Sequence, residues 1–305
     1  MWEIKQGDAI EVLKTMPDQC INTCVTSPPY WGLRDYGVDG QLGLEPTPAE
    51  YVANLVEAFR EVRRVLRDDG TLWLNLGDTY SGSCQTGGVN SISGKGKSQP
   101  HVKHKRNTNL KPKDLVGIPW MVAFALRADG WYLRQDIIWH KPNCIPESVK
   151  DRCTKAHEYI FLLSKSQHYY YDHEAISEPY TSKAEKPRNK AKERYNDSYK
   201  GGRWSEGVRD YYAAGKRNKR SVWTVPTQPF PEAHFAVYPP ALITPCILAG
   251  CPVGGTVLDP FAGSGTTLLV ATQHHRKSIG IELNPEYIEI AKRRLNSVQL
   301  KLVME

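Results

Sequence analysis

The chain has 305 residues, 40% of them apolar and 24% charged, which is enough for a large core built as one sizeable domain or as a domain with a subdomain. No run of about 18 apolar residues occurs, so a membrane-spanning helix is excluded. The net charge is +7, and the seven cysteines (Cys20, Cys24, Cys84, Cys144, Cys153, Cys246, Cys251) form no C-x-x-C pair, so neither a disulfide framework nor a metal site is expected and the thiols read as reduced and mostly buried.

The opening residues, MWEIKQGDAIEVL, lack the basic-then-apolar layout of a secretory signal, and a cytoplasmic location is expected. WEIKQ reads as a strand, AIEVLKTM as a helix, and INTCV as a second strand that runs into Ser27-Pro28-Pro29-Tyr30-Trp31. Two prolines followed by aromatics make either a rigid turn or a loop that holds something flat, and both readings stand at this point. Thr47-Pro48-Ala49-Glu50 then supplies an N-cap, a proline at the first helical position and a glutamate at the third. The helix EYVANLVEAFREVRRVL that follows is predicted to stop near Gly70, before a strand TLWLNLGD.

Residues 79–113 hold seven Lys or Arg and no Asp or Glu. Beyond them, PWMVAFALRADG reads as a helix closed by glycine, and WYLRQDIIWHK and EYIFLLSKS as two strands. Residues 181–220 hold thirteen basic against five acidic residues and show no sustained periodicity, so the segment is predicted to be loop-rich. Together the two segments exceed the net charge and leave the rest of the chain acidic, at −8. A polyanion-binding enzyme has this distribution, and so does a protein with two solvated loops. Interleaved aromatics (Tyr195, Tyr199, Trp204, Tyr211, Tyr212) favour nucleic acid, whose bases offer flat faces beside the charge. SVWTVP resumes strand-like order, and PPALITPCILAG reads as a helix after a turn.

The C-terminal stretch TVLDPFAGSGTTLLVATQHHRKSIGIELNPEYIEIAKRRL is a strand, a glycine-rich turn, a helix, a strand and a last helix. Repeated strand–helix alternation predicts an α/β fold, a parallel sheet with helices on both faces. The turn has no Walker lysine and lacks the third glycine of the dinucleotide fingerprint. What remains is a short G-x-G turn suited to a nucleoside without a pyrophosphate. Glu282, nineteen residues beyond Gly263 and at the end of the next strand, is placed to accept from ribose hydroxyls. S-adenosyl-L-methionine, a nucleoside with an amino-acid tail, fits that description.

TSPPY early, HFAVYPP and DPFAGSGTT late, and GIELNPEYIEIAKRRL at the end together resemble the beta class of DNA amino-methyltransferases, in the order target-base loop, recognition region, cofactor loop. The resemblance covers nearly the whole chain apart from the two basic segments. It implies a Rossmann-like, circularly permuted S-adenosylmethionine-dependent methyltransferase fold. WEIKQ would lie beside KSIGIEL as the third strand, and circular permutation is tolerated where termini meet at the surface. The implied catalytic domain spans 1–174 and 221–305, with 79–113 as a basic insertion and 175–220 as a candidate target-recognition region.

A base inside a duplex cannot reach a bound cofactor, so enzymes of this kind flip it into a pocket. Its exocyclic nitrogen is a poor nucleophile until an acceptor draws on the NH₂ group. Ser27 Oγ and the Pro28 carbonyl are suitable acceptors, Pro28 and Pro29 keep them aimed, Tyr30 offers a stacking face, and Trp31 extends that wall. By resemblance Ser27, Pro28, Pro29 and Tyr30 are the catalytic tetrapeptide. Asp8 resembles the acid that touches the cofactor's adenine, and alone it would more often be a helix N-cap. His234, Phe235 and Ala236 match the segment that packs on the methionine part. Asp259, Phe261, Gly263 and Gly265 shape the cofactor pocket, while Thr266 and Thr267 are donors to the cofactor carboxylate.

Serine at the first motif position, with HFAVYPP downstream, resembles the N4-cytosine subgroup; N6-adenine is the alternative. Three rivals are weighed. C5-cytosine methylation would use Pro245-Cys246, which lies in an apolar helical stretch. A non-catalytic DNA-binding protein on the same scaffold is opposed by the intact motifs. Methylation of RNA or of protein glutamine is the third; the basic segments favour a long polyanion over a protein, without separating DNA from RNA. Candidate contacts to double-stranded DNA are Trp31, Lys103, Lys105, Arg106, Arg203, Arg209 and Arg217, and the partners the resemblance allows include a second copy of the chain and a cognate restriction endonuclease.

Overall fold

Strand-forming residues appear where the sequence places them, and their pairing shows what the linear order conceals. The computed structural model describes residues 1–33, 35–81, 110–179, 216–228 and 237–304, with side chains described through residue 298. The chain divides into two compact units, one of residues 1–171 with 221–305 and the other of residues 172–220.

In the larger unit, β1 (Trp2–Gln6), β2 (Ile21–Thr26), β3 (Leu66–Leu76), β4 (Tyr132–His140), β5 (His157–Ser164), β8 (Val222–Thr224), β9 (Thr256–Asp259) and β10 (Lys277–Glu282) form one sheet in the order β1-β10-β9-β2-β3-β5-β4-β8. β1, β10, β9, β2 and β3 are parallel. The N-terminal strand therefore pairs with the last strand of the chain, Trp2 against Ser278 and Gln6 against Glu282, as the permuted order requires. β5 runs antiparallel to both β3 and β4, which departs from an all-parallel sheet. The connection from β4 to β5 contains no helix, and a parallel return would need such a crossover.

Helices cover the two faces. α1 (Ala9–Lys14), α2 (Pro48–Val65) and α3 (Ile118–Ala128) pack together, and so do α4 (Pro240–Gly250), α5 (Thr266–Gln273) and α6 (Pro285–Met304). With both faces covered, Val25, Leu72, Trp73, Leu74, Leu76, Phe161 and Leu163 are buried in near-continuous apolar strands rather than in alternation. Tyr51, Leu55, Phe59 and Val62 bury one stripe of α2 against that sheet. Thr47 Oγ1 accepts from Glu50 N at 3.1 Å and caps α2. α2 ends at Val65, earlier than the sequence implied, because Leu66 turns extended and pairs with Ile21; residues 67–70 bulge before pairing resumes at Thr71.

The smaller unit contains a short antiparallel pair, β6 (Glu178–Pro179) and β7 (Lys216–Arg217). Among the described cysteines Cys24, Cys246 and Cys251 are buried, Cys20 and Cys144 half-buried and Cys153 exposed, so burial is less general than expected. Among the described residues no helix is long and apolar enough to cross a membrane.

Candidate active site

The parallel strands deliver their carboxyl ends to one edge, and the connections there enclose a cleft of about 400 Å³. It lies where the strand order reverses between β9 and β2, the position at which open α/β sheets bind ligands. Asp8 follows β1, Ser27–Tyr30 follow β2, Asn75 ends β3, Lys141 follows β4, Pro260–Ser264 follow β9 and Glu282–Asn284 follow β10; all line this cleft. The Ser-Pro-Pro-Tyr loop and the glycine-rich turn, more than two hundred residues apart, are thus walls of the same space.

At one end the polar side chains form a connected set. The Tyr30 hydroxyl donates to Glu158 Oε2 at 2.7 Å and accepts from Asn75 Nδ2 and from Ser27 Oγ, the latter at 3.4 Å. Asn75 also donates to Glu158 Oε2 at 2.9 Å. Lys141 pairs with Glu158 Oε1 and lies 4.3 Å from the centre of the Trp139 ring. Burial pushes the Tyr30 phenol well above its usual range, and the Glu158 charge pushes it further, so it stays protonated. Beneath the loop the Tyr51 hydroxyl donates to the Pro29 carbonyl at 2.7 Å.

At the other end the turn spends its donors internally. Phe261 N donates to Asp259 Oδ1, Ala262 N to Ile281 O, Gly263 N to Glu282 Oε2 and Gly265 N to Ala262 O. A turn with those groups committed cannot cradle a phosphate chain. It offers instead the Phe261 ring, open space at the Gly263 α-carbon, and the carboxylates of Asp8 and Glu282. Burial raises the Glu282 pKa, against the backbone N–H groups of Asn284 and Gly263 that favour the anion. Gly265 starts α5 at φ +77°, and a β-carbon there would stand 2.9 Å from Ala291 Cβ, so the position requires glycine on both counts.

Asp259 braces the two walls. It is 1% exposed and takes Thr26 Oγ1 at 2.6 Å, Thr267 Oγ1 at 2.5 Å and the Tyr238 hydroxyl at 3.1 Å. Burial raises its pKa while these bonds hold it down. The brace ties the end of β2 to the end of β9, and so ties the serine loop to the glycine turn.

Several expected contacts fall elsewhere. Thr267 spends its hydroxyl on Asp259 and on the Val25 carbonyl, away from the cleft, whereas Thr266 lines the cleft beside Ser264. Trp31 is 7% exposed, packs into the core under α2 and donates its indole N–H to the Glu45 carbonyl, which leaves no face for a base or a DNA strand. In the smaller unit Arg217 is 14% exposed and pairs with Glu178, the carboxylate also reached by Lys219 and Arg220. Asp8 caps α1, accepting from Ile10 N and Glu11 N through Oδ1, and still lines the cleft. Cys246 is buried in α4. His234, Phe235, Ala236, Lys103, Lys105, Arg106, Arg203 and Arg209 lie outside the described residues. Sequence reasoning missed Asn75, Glu158, Lys141 and Tyr238, and also Tyr36 and Tyr287, whose rings meet edge to face at 6.4 Å in the cleft wall. A polar residue at the end of an otherwise apolar strand, as in LWLN or at the start of HEYIF, was the signal available.

A doubly wound sheet with a cleft at its switch point and no phosphate nest defines a Rossmann-like fold built for a nucleoside-type ligand. Residues 21–293 match the N6/N4 DNA methylase family, and the chain belongs to that family. It is 48% identical over 289 residues to the type II methyltransferase M.SmaI of Serratia marcescens, covering 95% of this chain and 89% of the relative. It is 47% identical over 302 residues to M.Cfr9I of Citrobacter freundii, covering 98% and 89%. The fold matches the cytosine-N4-specific PvuII DNA methyltransferase with a TM-score of 0.65 at 19% identity, over 98% of this chain and 90% of that one. It also matches a DNA modification methylase of Thermus thermophilus, solved with S-adenosyl-L-methionine, with a TM-score of 0.60 at 24% identity, over 98% and 96%.

Proposed function

We propose that this DNA methyltransferase of the N4/N6 family modifies the N4 amine of a flipped cytosine in double-stranded DNA, as the modification half of a type II restriction system. The observation that carries the reading is the shared cleft of Ser27–Tyr30 and Pro260–Ser264. S-adenosyl-L-methionine is the cofactor and supplies an electrophilic methyl group. The residues present fit it: Phe261 for the adenine, Glu282 for the ribose hydroxyls, Asp8 beside the base, and Thr266 near the amino-acid tail. His234, Phe235 and Ala236 complete that end by resemblance.

At the base end Ser27 Oγ and the Pro28 carbonyl accept from the amine and concentrate its lone pair on nitrogen. Tyr30 presents a ring for stacking. The prolines and the Tyr51 bond to Pro29 O hold the loop still, so the acceptors need no reorganisation when the reaction begins. Serine in the first motif position supports cytosine N4. Lys103, Lys105, Arg106, Arg203, Arg209 and Arg217 are proposed DNA contacts, a cognate endonuclease and a second copy of the chain are proposed partners, and the cytoplasm is the proposed location. Transfer of labelled methyl groups to DNA followed by nucleoside analysis tests the assignment: N4-methylcytosine is expected, and N6-methyladenine alone would overturn it.

A further inference from the structure

Methylation of an amine creates a proton that must leave. When the nitrogen bonds to the methyl carbon, the S–CH₃ bond breaks with its electron pair to sulfur, and the product nitrogen is cationic until an N–H bond breaks with its pair retained on nitrogen. The cleft contains one directed path for that proton. The Ser27 hydroxyl donates to Tyr30 and the Tyr30 hydroxyl donates to Glu158, so both O–H bonds point away from the base end and the lone pairs of Ser27 Oγ are left for the amine. Asn75 holds the junction by donating to both Tyr30 and Glu158.

We infer that Ser27, Tyr30 and Glu158 form a proton exit: Ser27 Oγ takes the amine proton as it passes its own to Tyr30, and Tyr30 passes its own to the Glu158 carboxylate, which becomes the neutral acid. This rests on the amino-methyltransferase reading above and holds for either target amine. Nothing in the chain is left charged by the step except at Glu158, whose pairing with Lys141 is exchanged for a bound proton. The side chain of Glu158 is 16% exposed, and it returns the proton to water. Because Tyr30 remains a phenol, its donor is in place at the start of each turnover. The 3.4 Å spacing between Ser27 and Tyr30 is that of a cleft without substrate, where catalytic hydrogen bonds are commonly long. The charged groups around Glu158 are Lys141 after β4, Lys155 just before β5, itself drawn to Asp78 at 3.8 Å, and the neighbouring His157.

The test is single-turnover methylation of DNA from methylase-deficient cells, with the modified site mapped first. Tyr30→Phe keeps the ring and removes only the hydroxyl. Tyr30→Phe and Glu158→Gln are each expected to slow transfer by about 100-fold. The double variant should be no slower than the worse single one. Cofactor affinity by calorimetry and base extrusion by the fluorescence of an analogue at the target position should stay near wild type. Formate, a small carboxylate, should restore part of the rate of Glu158→Ala, which it could not do for a purely structural residue. Tyr30→Phe transferring at more than half the wild-type rate would overturn the exit, as would losses confined to cofactor binding or extrusion, or a Glu158→Ala rate unmoved by formate. The wild-type product judges the parent reading separately: N6-methyladenine alone sinks the cytosine assignment and leaves the exit to be decided by the same variants.

Discussion

Gly77 has no room for a side chain, since a β-carbon built there would stand 2.5 Å from Tyr30 Cε2. The ring's position, and with it the aim of its hydroxyl at Glu158, depends on that missing atom. Gly77→Ala is expected to cost about 1–3 kcal/mol by urea denaturation and to lower methyl transfer at least tenfold as the ring is displaced; unchanged transfer would show that the ring's place does not matter. Glu282 carries the pH prediction. Its folded pKa is raised by burial, so the folded state holds the proton more tightly than the unfolded chain does, and the wild type loses stability relative to Glu282→Gln as pH rises from about 4 through the folded value. Paired denaturation curves across that range should show the gap moving in favour of the variant.

At the scale of elements, α2 supports the catalytic loop from below. Tyr51, fully buried on that helix, holds the Pro29 carbonyl. Tyr51→Phe should cost about 1 kcal/mol of stability and slow transfer several-fold, with cofactor affinity unchanged by calorimetry. The brace between β2 and β9 makes a contrasting case. Thr267→Val removes one donor from the buried Asp259 carboxylate and is expected to cost about 1–3 kcal/mol, read by urea denaturation. Cofactor affinity should be preserved, because the hydroxyl faces the brace; a large loss of affinity would place Thr267 on the ligand after all.

For the whole molecule, charge is the property that matters. The body of the chain is acidic, while residues 79–113 carry seven cations and residues 181–220 a balance of +8. Binding that rests on these segments releases counterions, so DNA affinity measured against salt should fall steeply on a double-logarithmic plot, by about one unit of slope per phosphate contact. Replacing the seven basic residues of 79–113 with glutamine should flatten that slope while leaving cofactor binding intact; an unchanged slope would remove this segment from the phosphates.

The sequence by itself determined what is local. Strand and helix periods, the Thr47 cap, the G-x-G turn with too few glycines for a dinucleotide, and the permuted motif order are all carried by residues close together in the chain, and the family and the fold class follow from them. The stop of α2 was misread because Leu66 leaves the helix to pair with Ile21, a partner that no local pattern reveals. Only the tertiary structure decided which side chains share a site and which way a hydroxyl points. Thr266 and Thr267 are adjacent, yet the helix turns one towards the cleft and the other towards Asp259. Tyr30, Asn75 and Glu158 meet because β5 enters antiparallel beside β3 and brings its first residues to the edge where the other strands end. Strand order is set by burying both faces of the whole sheet at once, and that global minimum leaves no trace in any short stretch of the chain.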